Sequence, residues 1–391
     1  MVQLKEAIYW VGAVDWSIRN FHGYITHRGT TYNSYLVVDE KTVIIDFVKS
    51  QFADEQIERI KEHIDPEKVD YIIANHAEPD HSGSIRKLIE VAPNAEIIGT
   101  ERCANSLKKY YGTDLKITTI EQKPTLKLGR RTLSFIPVPM AHWPDSMVSL
   151  MPEEKILFSN DAFGQHLATS GRFDDEVDQA ILMQEASRYY ANILMPLWRS
   201  VGRAIKALEG VQIDVIAPSH GIIWHATPSK ILSAYQGWIA GETKPKAVVV
   251  YDTMWGSTQI LARYIADGIA SKDVEVSIFN LTVSHNSDVI ADILDAKAIL
   301  VGGPTLNNYM FPSIAGFLAY LRGLKPLNKI GAAFGSYGWA GGAKKAAETE
   351  LQAAGVQLIE SNIDFIYRPN AEEIKKAFEF GKSIADKIKG P

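Results

Sequence analysis

The stretch Tyr71-Ile-Ile-Ala-Asn-His76-Ala-Glu78-Pro-Asp80-His81-Ser-Gly83 places four metal-capable side chains within six residues, directly after a short apolar run. The run predicts a strand over 70–74. Its C-terminal end then carries His76, Glu78, Asp80 and His81 in one irregular loop, the place where ligands collect in α/β sheets. A single loop histidine is ordinarily solvated or capping; a cluster this dense is not explained that way.

Three further apolar runs end in a potential ligand. Leu133-Ser-Phe-Ile-Pro-Val138 leads to His142, Lys155-Ile-Leu-Phe-Ser159 leads to Asp161, and Asp214-Val-Ile-Ala217 leads to His220. Each reads as a buried strand closed by a turn, so four strand ends are expected to converge on one edge of a sheet. Four imidazoles and three carboxylates are too many for one ion. Two ions share them if one carboxylate bridges, each ion keeping a position open for substrate. Two divalent ions, three carboxylates and one bridging hydroxide sum to zero charge, and a neutral centre is buried without a large desolvation cost.

The pattern His76-x-Glu78-x-Asp80-His81, followed by lone His142, Asp161 and His220, resembles the metal signature of the flavodiiron proteins, a variant of the metallo-β-lactamase pattern. Hydrolases of that superfamily usually have His where this chain has Glu78, and usually hold zinc. A carboxylate in place of an imidazole makes the site harder and more anionic, which suits iron better. The resemblance implies one iron on His76, Glu78 and His142, a second on Asp80, His81 and His220, and Asp161 as the bridge. In some members the residue matching His81 stands off the metal. His22 and Tyr24, in Asn20-Phe-His-Gly-Tyr24, are candidates for lining the pocket and tuning O2 against NO; His166 is another pocket candidate. His27, His63, His225 and His285 read as ordinary.

At 391 residues the chain exceeds one ordinary domain, and two domains are expected. A composition 46% hydrophobic and 22% charged is that of a globular protein. The net charge of −5 argues against nucleic acid as a partner. Neither a secretory leader nor a stretch of membrane-spanning length is visible, so a cytoplasmic protein is expected. One cysteine, Cys103, leaves no internal disulfide and no cysteine-held iron–sulfur or rubredoxin-type centre, which need about four thiolates.

Short strand-like runs over 7–48 suit the first sheet of a sandwich. Helices are expected over 53–63 and 84–91, and a long helical tract over 178–208 whose Tyr189, Tyr190 and Trp198 read as core packing. The polar segment Gly241-Glu-Thr-Lys-Pro-Lys246 marks a boundary, separating a domain over 1–243 from one over 247–391. Beyond it, strands near 247–251, 274–279, 298–301, 330–334 and 357–359 alternate with helices. That order predicts a doubly wound parallel sheet with a ligand at its strand ends.

Three loops define that ligand. Thr253, Met254, Trp255, Gly256, Ser257 and Thr258 form a hydroxyl-rich loop without Lys or Arg, suited to holding a phosphate on backbone N–H groups and a helix N-terminus. It resembles the flavodoxin phosphate loop. Pro304, Thr305, Leu306, Asn307 and Asn308 follow the third strand; Ser336, Tyr337, Gly338, Trp339, Ala340 and Gly341 follow the fourth. In flavodoxins such loops grip the isoalloxazine by backbone hydrogen bonds and stacking. FMN is therefore expected, with Trp339 as the stacking residue or a subunit contact.

The resemblance thus covers the whole chain: an N-terminal metallo-β-lactamase-like αββα sandwich, then a flavodoxin-like five-stranded sheet. It implies two non-haem irons and FMN, reduction of O2 to water or of NO to N2O, and electrons from rubredoxin or a reduced deazaflavin coenzyme. It also implies a head-to-tail homodimer or a dimer of dimers, in which the flavin of one subunit meets the irons of the other and Glu78 passes electrons. The alternatives are a metallo-β-lactamase-superfamily hydrolase with an accessory flavodoxin domain, a pure electron carrier, and a flavin-only reductase.

Overall fold

In a strand, neighbouring side chains point to opposite faces, and this decides the layering of the first half of the molecule. Val43, Ile45, Ile73 and Ile98 share one core with Phe135, Met147, Ile156 and Phe158. The residues between them, Ile44, Ile72 and Ile97, enter a different core with Ile57, Ile60, Leu88 and Leu107. One sheet is therefore covered by a second sheet on one side and by helices on the other.

The computed structural model describes residues 2–390. They fold as two compact units, one running to Tyr189 and including Leu197–Gln236, the other comprising Tyr190–Pro196 and the chain from Gly237 onward. The first unit has a seven-stranded sheet whose middle holds Tyr35–Val37, Val43–Ile45, Tyr71–Ala74 and Glu96–Gly99. Opposite it lies a five-stranded sheet ordered Thr125–Lys127, Thr132–Pro137, Met147–Met151, Ile156–Asn160, Val215–Pro218. Helices Ala53–Lys61, Ile85–Val91 and Glu101–Tyr111 cover the first sheet, with Cys103 buried among them. The architecture is an αββα sandwich.

Two expectations are corrected here. The four ligand-bearing strand ends do not share one sheet: Tyr71–Ala74 lies in the seven-stranded sheet and the other three lie in the five-stranded one. An apolar run reports burial, and strands of both layers are buried, so the run cannot say which layer it joins. The tract 178–208 is also not one helix. It runs as helix Gln179–Tyr189, a wide π-helical turn Tyr190–Leu194, a tight turn Met195–Leu197 and helix Trp198–Ala207. Pro196 lacks an N–H and its ring crowds the carbonyl four residues back, which breaks the helical ladder.

The second unit is a parallel sheet in the order Glu275–Asn280, Lys244–Tyr251, Ala296–Leu306, Ile330–Tyr337, Gln357–Leu358. In chain order this is 2-1-3-4-5, the flavodoxin arrangement, whose ligand crevice opens where the order reverses. A further strand, Asp364–Ile366, pairs in parallel with Gly335–Tyr337 beyond the short fifth strand. Among the described residues no helix is long and apolar enough to cross a membrane.

Helices Ser257–Ala270 and Ala371–Lys389 pack on one face of this sheet against Ala247, Val249 and Leu300. Their crossing demands glycine on both sides. A methyl at Gly268 would overlap the carbonyl oxygen of Phe378, and one at Gly381 would overlap that of Ile265. Gly381→Ala is expected to destabilise this unit by about 1–3 kcal/mol through overpacking, read as a lower unfolding temperature in calorimetry with the first unit's transition unmoved.

Candidate dinuclear metal centre and flavin pocket

The strand Tyr71–Ala74 ends at Asn75, and a single helical turn, Pro79–Ser82, follows with Glu78 at its cap. Pro79 suits the first helical position because its missing N–H is not needed there. That turn sends His76 and Glu78 to one side and Asp80 and His81 to the other. His142 comes from the loop after Thr132–Pro137, while Asp161 and His220 stand just past the parallel strands Ile156–Asn160 and Val215–Pro218.

Two groups result. His76, Glu78, His142 and Asp161 bring ligand atoms within 4.8 Å of one another, as do Asp80, His81 and His220. In the first, Glu78 Oε2 lies 3.1 Å from His76 Nε2 and 3.3 Å from His142 Nε2. In the second, Asp80 Oδ2 lies 3.1 Å from His220 Nε2 and 3.5 Å from His81 Nε2. Asp161 faces both: Oδ2 is 3.3 Å from His142 Nε2 and 3.8 Å from His76 Nε2, and Oδ1 is 2.9 Å from His81 Nε2 and 3.7 Å from His220 Nε2.

A layer of supporting groups orients these side chains. His76 Nδ1 pairs with Asp145 Oδ2 at 3.1 Å, and the same oxygen accepts from the Ala77 N–H. His220 Nδ1 donates to the Thr31 carbonyl at 2.6 Å. Tyr189 donates its hydroxyl to Asp161 Oδ1 at 3.0 Å, so it is more than the core aromatic that helical periodicity suggested. Fully buried Asp46 accepts from the Asn75 backbone and side chain, from Asn160 Nδ2 and from Ser219 Oγ. Each donor immediately precedes a candidate ligand. Asp46, Asp145 and Thr31 were not singled out from sequence; the one local hint was Asp145, three residues after His142.

His22 and Tyr24 meet different partners. Exposed His22 reaches Glu78 Oε1 at 2.9 Å, a bond that raises its pKa. Tyr24 is buried and its hydroxyl meets His166 Nε2 at 3.0 Å, while His166 Nδ1 meets Thr30 Oγ1 at 2.8 Å. Burial and the neighbouring His220 hold His166 far below the usual imidazole range, hence neutral.

In the second unit a cavity of about 750 Å³ opens at the strand ends, a size typical of small-molecule and cofactor sites. All three predicted loops line it through Thr253 to Trp255, Ser257, Pro304 to Asn308 and Ser336 to Ala340. Gly256, Thr258 and Gly341 stand beside the wall: Gly256 makes the left-handed turn into helix Ser257–Ala270, and Thr258 pairs with Ser336 Oγ at 2.9 Å. Trp255 and Trp339 flank the opening, 91% and 90% exposed. Two wall residues went unpredicted, Tyr367 and Arg368. They follow the added strand Asp364–Ile366, whose short run Phe365-Ile366-Tyr367 was not among the strands expected.

The model of the ODP family beta lactamase matches residues 30–221, and the flavodoxin model matches 249–381. A nitric oxide reductase of Moorella thermoacetica is 47% identical over 99% of this chain and 98% of its own. The flavodiiron protein of Giardia intestinalis superposes with a TM-score of 0.96 at 36% identity, covering 99% of this chain and 96% of that one. Rubredoxin oxygen:oxidoreductase of Desulfovibrio gigas gives 0.95 at 35%, covering 99% and 98%. The chain belongs to the flavodiiron family. It is an oxidoreductase, and the family's cofactors are FMN and a non-haem diiron centre.

The residues present fit both groups. Asp80 Oδ1 and Asp161 Oδ2 are buried and make no hydrogen bond among the described residues, although His142 Nε2 stands 3.3 Å from Asp161 Oδ2. Such oxygens are costly unless a cation takes them, and a mixed imidazole and carboxylate set suits iron. For the flavin, the hydroxyls of Thr253 and Ser257 and the helix N-terminus suit a phosphate, and the neighbouring loops form a cleft wide enough for a ring system.

The metal-free cage is a proton trap. Burial disfavours charge on His76, His81 and His142, but the surrounding carboxylates outweigh it and raise each to about 10. Glu78 and Asp161 are pushed far below the carboxylate range by the same imidazoles, against their burial. Ligation needs neutral imidazole, so loading must expel these protons. The apparent affinity for Fe(II) should therefore rise with pH while these imidazoles still hold protons. Anaerobic loading in weak buffer should release protons, read with an indicator dye. Separately, Asp145→Ala strands His76 Nδ1 and the Ala77 N–H and is expected to weaken iron retention about 10- to 100-fold, measured by chelator competition with the fold checked by circular dichroism.

Proposed function

We propose that this chain reduces O2 to water, NO to N2O, or both, at a diiron centre supplied with electrons through FMN. The observation that carries this reading is Asp161, whose two oxygens face two separate groups of ligands. His76, Glu78 and His142 would hold one iron, Asp80, His81 and His220 the other, and Asp161 would bridge. The three loops over 253–258, 304–308 and 336–341 would hold FMN. In domain terms, the diiron part would fall within 1–243 and the flavin part within 247–391, with Tyr190–Pro196 and the residues from Gly237 packing in the second unit.

When bound, the iron pair and the flavin supply four electrons together, enough for O2, with open iron positions for a diatomic. The chain's own residues do the rest. Asp145 and the Thr31 carbonyl fix the rings of His76 and His220. Tyr189 holds a proton at its hydroxyl against Asp161. Phe21, Tyr24, Tyr189 and neutral His166 pack into an aromatic wall beside His220 that limits water access. Tyr24, bonded to His166, and His22, bonded to Glu78, are positioned to tune the choice between O2 and NO.

The relatives support both substrates: nitric oxide is in the name of the Moorella protein, oxygen and rubredoxin in that of the Desulfovibrio protein. The donor is proposed to be rubredoxin or a reduced deazaflavin coenzyme, and the working form a head-to-tail homodimer or dimer of dimers in the cytoplasm.

Anaerobic single turnover of the reduced protein tests this, with iron and flavin quantified on the same sample. About two irons and one FMN per chain are expected, with rapid reoxidation by O2, stoichiometric N2O from NO, or both. Asp161→Ala should abolish both reactions while leaving FMN bound. Zinc in place of iron would return the first domain to the hydrolases.

A further inference from the structure

Among the residues lining the flavin cavity, Arg368 is the one that carries a full charge; the rest of the wall is hydroxyl, amide, aromatic, apolar or backbone. Its guanidinium makes no hydrogen bond or ion pair with any described residue. Water satisfies an exposed arginine, but on the wall of an otherwise uncharged cavity this side chain is the one fixed charge able to meet an anion bound inside.

The sheet order separates Arg368 from the phosphate loop. The hydroxyl-rich phosphate loop follows strand Lys244–Tyr251, whereas Arg368 follows Asp364–Ile366, which pairs with the C-terminal end of Ile330–Tyr337. Three strand spacings separate them, roughly 14 Å at about 4.8 Å each. A phosphate seated on the Thr253–Ser257 loop is out of reach of Arg368. Its backbone instead neighbours the loop after Ile330–Tyr337, where the Tyr367 N–H donates to the Tyr337 carbonyl at 2.7 Å, on the side of the cavity away from the phosphate loop.

We propose that Arg368 is a positioning residue for the reduced flavin ring: it stabilises the negative charge that two-electron reduction places on the pyrimidine portion. The balance is simple. Oxidised FMN takes two electrons from the external donor, singly or as a pair, and one proton at N5, which leaves one net negative charge shared between N1 and the C2 carbonyl. Oxidised flavin has no such charge, so the arginine favours the reduced form selectively. By linkage, that selectivity is a rise in the two-electron potential. The device suits an enzyme that must keep its flavin loaded while it waits for a diatomic. Because Arg368 is exposed in the free cavity, solvent screening keeps the effect modest.

The inference rests on FMN occupying the three loops, and the test separates the two claims. Arg368→Gln and Arg368→Lys holoenzymes are titrated potentiometrically through the flavin absorbance, with FMN content measured on each. In Arg368→Gln the preference for reduced over oxidised FMN should fall about tenfold, which is about 30 mV for a two-electron couple. Arg368→Lys should retain most of the wild-type value. The gap between wild type and Arg368→Gln should close at a pH low enough to protonate N1, since the reduced ring is then neutral; a merely structural role does not predict that closure. An unchanged potential, a shift that persists at low pH, or equal weakening of oxidised and reduced FMN would each overturn the proposal while leaving FMN binding intact. Wild-type protein without FMN would overturn both.

Discussion

The Asp46 carboxylate is the interaction on which the metal centre depends. Four of its contacts go to Asn75, Asn160 and Ser219, which stand immediately before His76, Asp161 and His220. Two of those segments belong to different sheets, so one buried acid holds the two layers in register at the edge where ligands must meet. Burial pushes the Asp46 carboxyl up, and the surrounding donors pull it back. A buried carboxylate with every neighbour donating to it is expensive to assemble and expensive to disturb. That combination suits a residue whose task is geometry.

From this anchor the rest of the site follows as nested support. Asp145 and the Thr31 carbonyl aim two imidazoles, and Tyr189 steadies the central carboxylate. His81 differs, because its Nδ1 is buried without a partner among the described residues. A ligating histidine usually donates its second ring nitrogen to a carbonyl or carboxylate. Among the candidate ligands, His76 and His220 make such a bond and His81 does not; its ring lies against the Asp80 and Asp161 carboxylates and the His76 and His220 rings.

The flavin half is organised by topology more than by any single contact. Reversal of strand order between Glu275–Asn280 and Ala296–Leu306 around Lys244–Tyr251 opens the crevice, and successive parallel strands deliver one loop each to its rim. Asn307 and Asn308 take left-handed backbone in the tight turn joining Thr305–Leu306 to Tyr309–Met310, a conformation that asparagine tolerates well. The turn thus presents its backbone to the cavity without glycine at its centre.

Sequence by itself marked the candidate ligands and the candidate cofactor loops, which the fold brings into two groups of side chains and one cavity. His76, Glu78, Asp80 and His81 sit within one short segment, and each of the three candidate loops directly follows an apolar run, so local pattern was enough to mark them. The two-domain order and most strands were legible for the same reason: periodicity and turn residues are short-range signals. Only the tertiary structure decided which sheet each ligand strand joins, which acids support the ligands, and that Tyr367 and Arg368 complete the flavin wall. Asp46 lies 173 residues from Ser219 and Asp145 lies 69 from His76. A hydrogen bond across that separation has no periodic signature, because its partners are chosen by packing in three dimensions and not by neighbours along the chain.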